Sequence, residues 1–395
     1  MIAQTCKQDL QAAVRQVKAQ QGVLLAYKLS DEMDESVPAP LQAKIRSFKE
    51  SFAALADTTA ACAGNNAEAK ALESDLVRRL DANKPIKQAV YDPKKPPQLD
   101  HIYGDELEVN VSSPVSPANL LLVEFGFGIE CGQDSMLLGY EFADGRWQRV
   151  LRWQSGDYDE INGAFGDFFK YVLISQPAPR GWVIAVAHGM PWCTSRYSGF
   201  DLDLIQPETA GEQQKVLQHL KEGYVRFEIE PSMKRVPEGF QLRLQAAMLD
   251  SNFMTRIGIY RYKLEGDKLK RVQPVANNGR DFVDEWLQVP WSDAQRWSAT
   301  SDLTELEQIH QQIQSERSGD GENWPMIEYG AVRGCSDSPT HFQVEMTEDR
   351  SMNKPPRPNS TVYFQIEEGK NSFTMLSASM AKDPRCKGVN IMPQN

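Results

Sequence analysis

Few residue clusters in this 395-residue chain could do chemistry, and spacing weighs each of them. Asp157, Asp159, Glu160 and Asn162 run up to Gly163 and offer enough oxygen ligands for a hard cation such as Ca²⁺. Asn162 and Gly163 come one residue late for an EF-hand loop, so no metal is assigned. Asp201 and Asp203 alternate on one face of a strand pattern, a spacing that can present paired carboxylates to a sugar. Asp281, Asp284 and Glu285 flank Trp286 on a helical pattern. A solvated acidic turn or face is the plainer reading of all three clusters, and it is the one adopted here.

The segment from His188 to Ser198 gathers His188, Trp192, Cys193, Arg196 and Tyr197 directly after the strand pattern Trp182–Ala187. Loops at strand ends are where β scaffolds carry binding residues. Cys193 with His188 as base would make a nucleophile pair. A disulfide from Cys193 to Cys131 uses the same sulfur and is preferred, leaving His188 as a hydrogen-bonded structural histidine. Strands over 168–176 and 181–188 should form a hairpin with residue 168 near 188, so loops 157–163 and 188–198 emerge at one sheet end. Asp157, Asp159, Glu160, His188, Trp192 and Arg196 are therefore the expected ligand-binding rim.

Cofactor chemistry finds no motif. Gly126, Gly128 and Gly132 follow the apolar run Leu120–Phe125, but a dinucleotide site needs a helix next. The pattern that follows, Met136–Phe142, is another strand, and the glycine spacing is one residue too long. Nucleophile-elbow, zinc-helix, phosphate-loop and kinase signatures do not occur. The five histidines, at 101, 188, 219, 310 and 341, include no helical i, i+4 pair. No cofactor is expected.

The elements that must position these residues read in three stages. Residues 1–83 carry helical periodicity: Leu10, Val14, Val17 and Leu24, then Leu41, Ile45, Phe48, Phe52 and Leu55, then Leu72, Leu76 and Leu80. A Pro/Lys linker covers 84–104. From 105 to 300 short strand patterns dominate, with turn signals at Asp144-Gly145, Arg180-Gly181, Glu238-Gly239 and Gly266-Asp267. A helical stretch follows Arg280, and Asp302 with Glu305 predicts a capping box for a connecting helix over 301–321. Residues 322–395 read as a small β module of about four strands. The fold class is mainly β with helical additions: an N-terminal helical hairpin or three-helix module, a central multi-stranded antiparallel β domain and a C-terminal β module. A sandwich, a barrel or a propeller-like stack of meanders would suit the centre.

The six cysteines fall as Cys6 and Cys62, Cys131 and Cys193, and Cys335 and Cys386, each pair within one apparent module. None has C-x-x-C spacing. Two antiparallel helices of nearly equal length bring Cys6 and Cys62 to one end, so sequential pairing is expected; six separate buried thiols is the alternative. Around Cys6, Leu24, Tyr27, Phe52, Asp57 and Cys62 the chain resembles small secreted, Cys-bracketed helical modules of the LprI type. Phe52 stands where that family has tryptophan, and Cys62 comes two residues late; no function is carried across.

A formal charge of −11 disfavours nucleic acid and anionic membrane as partners. No apolar run approaches the roughly 18–20 residues of a membrane span. The first thirty residues lack a signal peptide's basic start and long apolar run, so either the chain is cytosolic or a signal has been removed and Met1 is not native. Paired cysteines favour the second, hence a periplasmic or extracellular location. The expected function is non-enzymatic: an exported binding or envelope-associated protein for an unknown polar ligand or protein. The alternative is a carbohydrate-active hydrolase using paired carboxylates on a β scaffold.

Overall fold

The structure is a computed structural model that describes residues 2–27, 37–64, 67–84, 103–117, 119–129, 132–155, 168–176, 181–190, 197–209, 212–225, 229–317, 324–353 and 355–392. The chain divides into two compact units, Met1–Glu222 and Gly223–Asn395. It is mainly β, built on four antiparallel sheets of four strands, each an open meander.

The first unit opens with helices α1 (Ile2–Leu25), α2 (Ala39–Ala63) and α3 (Ala69–Leu80). Cys6 and Cys62 are bridged, with Cα atoms 5.7 Å apart, so the antiparallel pairing of α1 and α2 is as the helix lengths predict. The first sheet runs β1 (Glu108–Ser112), β2 (Leu120–Ile129), β3 (Gly132–Ala143), β4 (Arg146–Gln154). The second runs β5 (Phe169–Ser175), β6 (Trp182–Met190), β7 (Tyr197–Gln206), β8 (Lys215–Val225). The glycine run after Leu120 leads from β2 into β3, with Ile129 opposite Gly132, so a strand stands where a dinucleotide site needs a helix.

β2 is apolar on both faces because both are covered. Leu121, Val123, Phe125, Phe127 and Ile129 share one core with the helices, where Phe52 stacks on Phe125 at 3.7 Å between centroids. Leu120 and Leu122 join Leu137, Leu151 and Trp153 in a second core against Leu173, Ile184, Val186 and Ile205 of the second sheet. The unit is thus layered as helices, sheet, sheet. Gly139 of β3 is crowded by its neighbouring strands: a methyl there would sit 2.9 Å from Leu151 Cβ of β4.

In the second unit, the third sheet is ordered β12 (Lys268–Arg271), β11 (Thr255–Glu265), β10 (Gly239–Ala247), β9 (Ser232–Val236). The fourth is ordered β13 (Met326–Gly334), β14 (His341–Asp349), β15 (Ser360–Glu368), β16 (Phe373–Ser379). Helices α4 (Gly279–Gln288), α5 (Trp291–Ala294) and α6 (Leu303–Glu316) lie between them in sequence. Phe282, Trp286 and Leu306 bury against Val344, Phe364 and Met375 of the fourth sheet. Cys335 is bridged to Cys386.

Two local expectations are corrected. Asp302 precedes α6 but its side chain makes no capping bond, so the predicted capping box is not formed. Asp281, Asp284 and Glu285 are not a solvated face: all three are buried. Arg256 pairs with Asp284 at 2.6 Å and with Glu285, and Arg271 pairs with Glu285 at 2.6 Å, tying α4 to the third sheet. Paired charges can be buried where single ones cannot.

Candidate functional site

The hairpin of β5 and β6 sets Phe169 opposite His188, and Gly189 N–H donates to Phe168 C=O at 3.0 Å. On the other side of β6, His188 lies opposite Asp201 of β7. Strand alternation puts Asp201 and Asp203 on the face that carries Ile205, the face turned to the first sheet. Phe169, His188 and Asp201 therefore form a row across three strands, and His219 of β8 extends it.

Hydrogen bonds fix this row. Trp153 Nε1 of the first sheet donates to Asp203 Oδ2 at 2.8 Å, and His219 Nδ1 donates to Asp203 Oδ1 at 2.7 Å. His219 Nε2 is then turned to Asp201 Oδ1, 3.6 Å away, with the ring about half exposed. His188 is buried between the rings of Trp153 and Phe169, at 5.4 and 6.2 Å between centroids. Its Nε2 has no hydrogen-bond partner among the described residues.

Behind His188 lies a buried charge. Lys49 of α2 is 2% exposed and pairs with fully buried Asp134 of β3 at 2.7 Å. Lys49 Nζ also donates to Ser155 Oγ at 2.9 Å, and Ser155 donates to Asp134. Burial pushes the Asp134 carboxyl up, against the pull of Lys49. Burial, and then the Lys49 charge, push the His188 imidazole down to about 3, so it is neutral at physiological pH.

The expected rim is only partly placed. His188 is where the hairpin predicts, but buried in a ring cage; the hydrogen-bonded structural role expected for it is not seen at Nε2. Asp157, Asp159, Glu160, Trp192 and Arg196 lie outside the described residues, as do Cys131 and Cys193. Ser155 and Phe168 flank the first of these segments in sequence, and Met190 and Tyr197 flank the second. Lys49, Asp134, Trp153, Ser155 and His219 had no place in the sequence-based rim. One signal was readable: Lys49 sits four after Ile45 and three before Phe52, inside the apolar stripe of its helix.

A second feature of this unit is an open cleft of about 470 Å³ lined by Asn83, Lys84, Glu108, Asn110 and Glu124. Burial, with repulsion from Glu108, pushes the Glu124 carboxyl up, and burial beside Glu124 pushes Tyr171 up to about 12. The cleft's amides are already engaged: Asn83 bonds the Val109 backbone through both side-chain atoms, and Asn110 reaches Glu124 at 3.4 Å.

Among the described residues no group of three or more His, Cys, Asp or Glu is placed to hold a metal ion. No described helix is long and apolar enough to cross a membrane. The chain matches no protein-family model, so the N-terminal likeness to LprI-type modules rests on those few residues, and it matches no curated protein.

Proposed function

We propose that this chain is an exported, non-enzymatic binding protein whose polar ligand sits at the strand ends around His188, Asp201 and His219. The observation that carries the reading is the His188 imidazole: buried, neutral and with Nε2 unmatched. Buried polar atoms are satisfied in the large majority of cases, so an unmatched one beside a rim of carboxylates marks a place for a partner atom. The two bridges, Cys6–Cys62 and Cys335–Cys386, support an oxidising compartment.

The hydrolase alternative has less support. One carboxyl of a glycosidase pair must deliver a proton while the other attacks or activates water. Both oxygens of Asp203 already accept, from Trp153 and His219, so Asp203 is not placed as the carboxyl that delivers a proton.

Two measurements test the proposal. Protein secreted by a cell through its own export route, unfolded without reductant and alkylated, should show no labelled thiol at Cys6, Cys62, Cys335 or Cys386; labelling there overturns export. Nitrogen resonances of the His188 ring should move when a polar ligand is added, and a ring indifferent to every ligand class overturns the binding site.

A further inference from the structure

We infer that the cationic face of the third sheet is a docking surface for an acidic polypeptide segment in extended conformation, its alternate carboxylates seated on Arg243, Arg261 and Lys263. This surface belongs wholly to the second unit and does not depend on the His188 reading.

Strand alternation gives the sheet two faces. Phe240, Leu242 and Leu244 of β10 are buried on one of them. The other carries Arg243 opposite Ile259, Gln241 opposite Arg261, and Gly239 opposite Lys263. Three successive cross-strand rows therefore hold one cation each. Lys234 of β9, opposite Gln241, and Lys270 of β12, opposite Lys263, widen the last two rows. Lys263 and Lys270 make surface ion pairs, with Glu238 at 2.9 Å and Glu265 at 3.2 Å. Lys234, Arg243 and Arg261 have no acidic partner among the described residues. Lysines on edge strands guard a sheet against pairing with another chain, which accounts for Lys234 and Lys270. Arg243 and Arg261 lie on the two inner strands, where no such guard is needed.

Spacing and composition name the occupant. Successive rows are about 7 Å apart, the period at which an extended chain repeats its side chains on one face. A carboxylate takes an arginine through paired hydrogen bonds. None of the residues on this face of the four strands is aromatic, so nothing is offered for bases or sugar rings to stack on. A duplex or a bilayer would reach past these strands to a chain whose formal charge is −11. An extended segment of about five residues spans the three rows and stops there.

The test titrates the whole protein into a labelled peptide of alternating glutamate and threonine, read by fluorescence anisotropy at low and at physiological salt. The matching glutamine–threonine peptide is the uncharged control, and a heparin oligosaccharide and a single-stranded oligonucleotide serve as competitors. The glutamate peptide should bind more weakly as salt rises, and the glutamine peptide should not bind. Arg243→Gln with Arg261→Gln should lose about tenfold in affinity. Lys7→Gln with Lys70→Gln removes the same charge from exposed positions on α1 and α3 and should change affinity by less than about twofold. Circular dichroism checks folding, and Arg243→Gln alone, at an exposed position, carries the test with about a threefold loss if the double variant misfolds. No binding of the glutamate peptide, or equal effects of the arginine and lysine pairs, overturns the docking face. Displacement by heparin or the oligonucleotide at lower concentration than by unlabelled peptide makes the occupant another polyanion and overturns the peptide.

Discussion

At the scale of single residues, the molecule is most sensitive where charge is buried. His188 is neutral when folded, with its imidazole pushed down to about 3, and takes its ordinary value near 6.5 when unfolded. Between these values the unfolded chain binds the extra proton, so stability falls as pH is lowered. From pH 7 to pH 4 this one residue should cost about 3 kcal/mol. Urea unfolding of wild type and His188→Leu across that range should show the variant losing less by about that amount; parallel curves would refute the burial argument. Lys49→Met removes the partner of a fully buried carboxylate. It should cost roughly 3–5 kcal/mol, partly restored when Asp134 is replaced by leucine as well, because an uncompensated buried charge costs more than an apolar pair. Lys49 also shows what was legible: its place in the apolar stripe could be read, but its partner 85 residues away could not (134 − 49).

At the scale of elements, predictions follow from the way strands and helices are held together. The Cys6–Cys62 bridge closes a separation of 56 residues. Replacing both with serine should cost about 4 kcal/mol by chain entropy, read as a lower melting temperature. Gly139→Ala should lose roughly 1–3 kcal/mol, because the added methyl meets Leu151 within the layer between two sheets. Alanine at Gly145, where a Cβ would meet nothing within 4 Å, is strained only by its φ of 76°. In the second unit, Arg256→Met strips Asp284 and Glu285 of a shared partner. It should cost roughly 3–5 kcal/mol, and Trp286 on the same helix reports the loss by fluorescence. The hairpins were legible because their turns are local: Asp144 and Gly145 both take the positive φ that their residue types favour.

At the scale of the whole molecule, the charge of −11 sets the long-range field. The protein should stay unbound when mixed with duplex DNA or anionic vesicles at low salt, as a co-sedimentation assay would show; association there would reveal a basic surface that the net charge conceals. Each compact unit contains one of the described bridges, Cys6–Cys62 in the first and Cys335–Cys386 in the second.

The amino-acid sequence alone determined the mainly β class, the three N-terminal helices, the hairpins and two of the cysteine pairs. All of these follow from periodicity, turn chemistry or the matched lengths of neighbouring helices, which are properties of contiguous residues. Only the tertiary structure decided that the helices and the first sheet share a core. The same is true of the burial of Asp284 and Glu285 on two arginines and of the convergence of Lys49, Asp134, Trp153, His188 and His219 at one end of two sheets. An acidic residue reads alike whether its partner is water or an arginine 28 positions away, as Asp284 and Arg256 are. Burial and pairing are set by which surfaces meet, and a one-dimensional pattern carries the faces of each element but not the identity of what covers them.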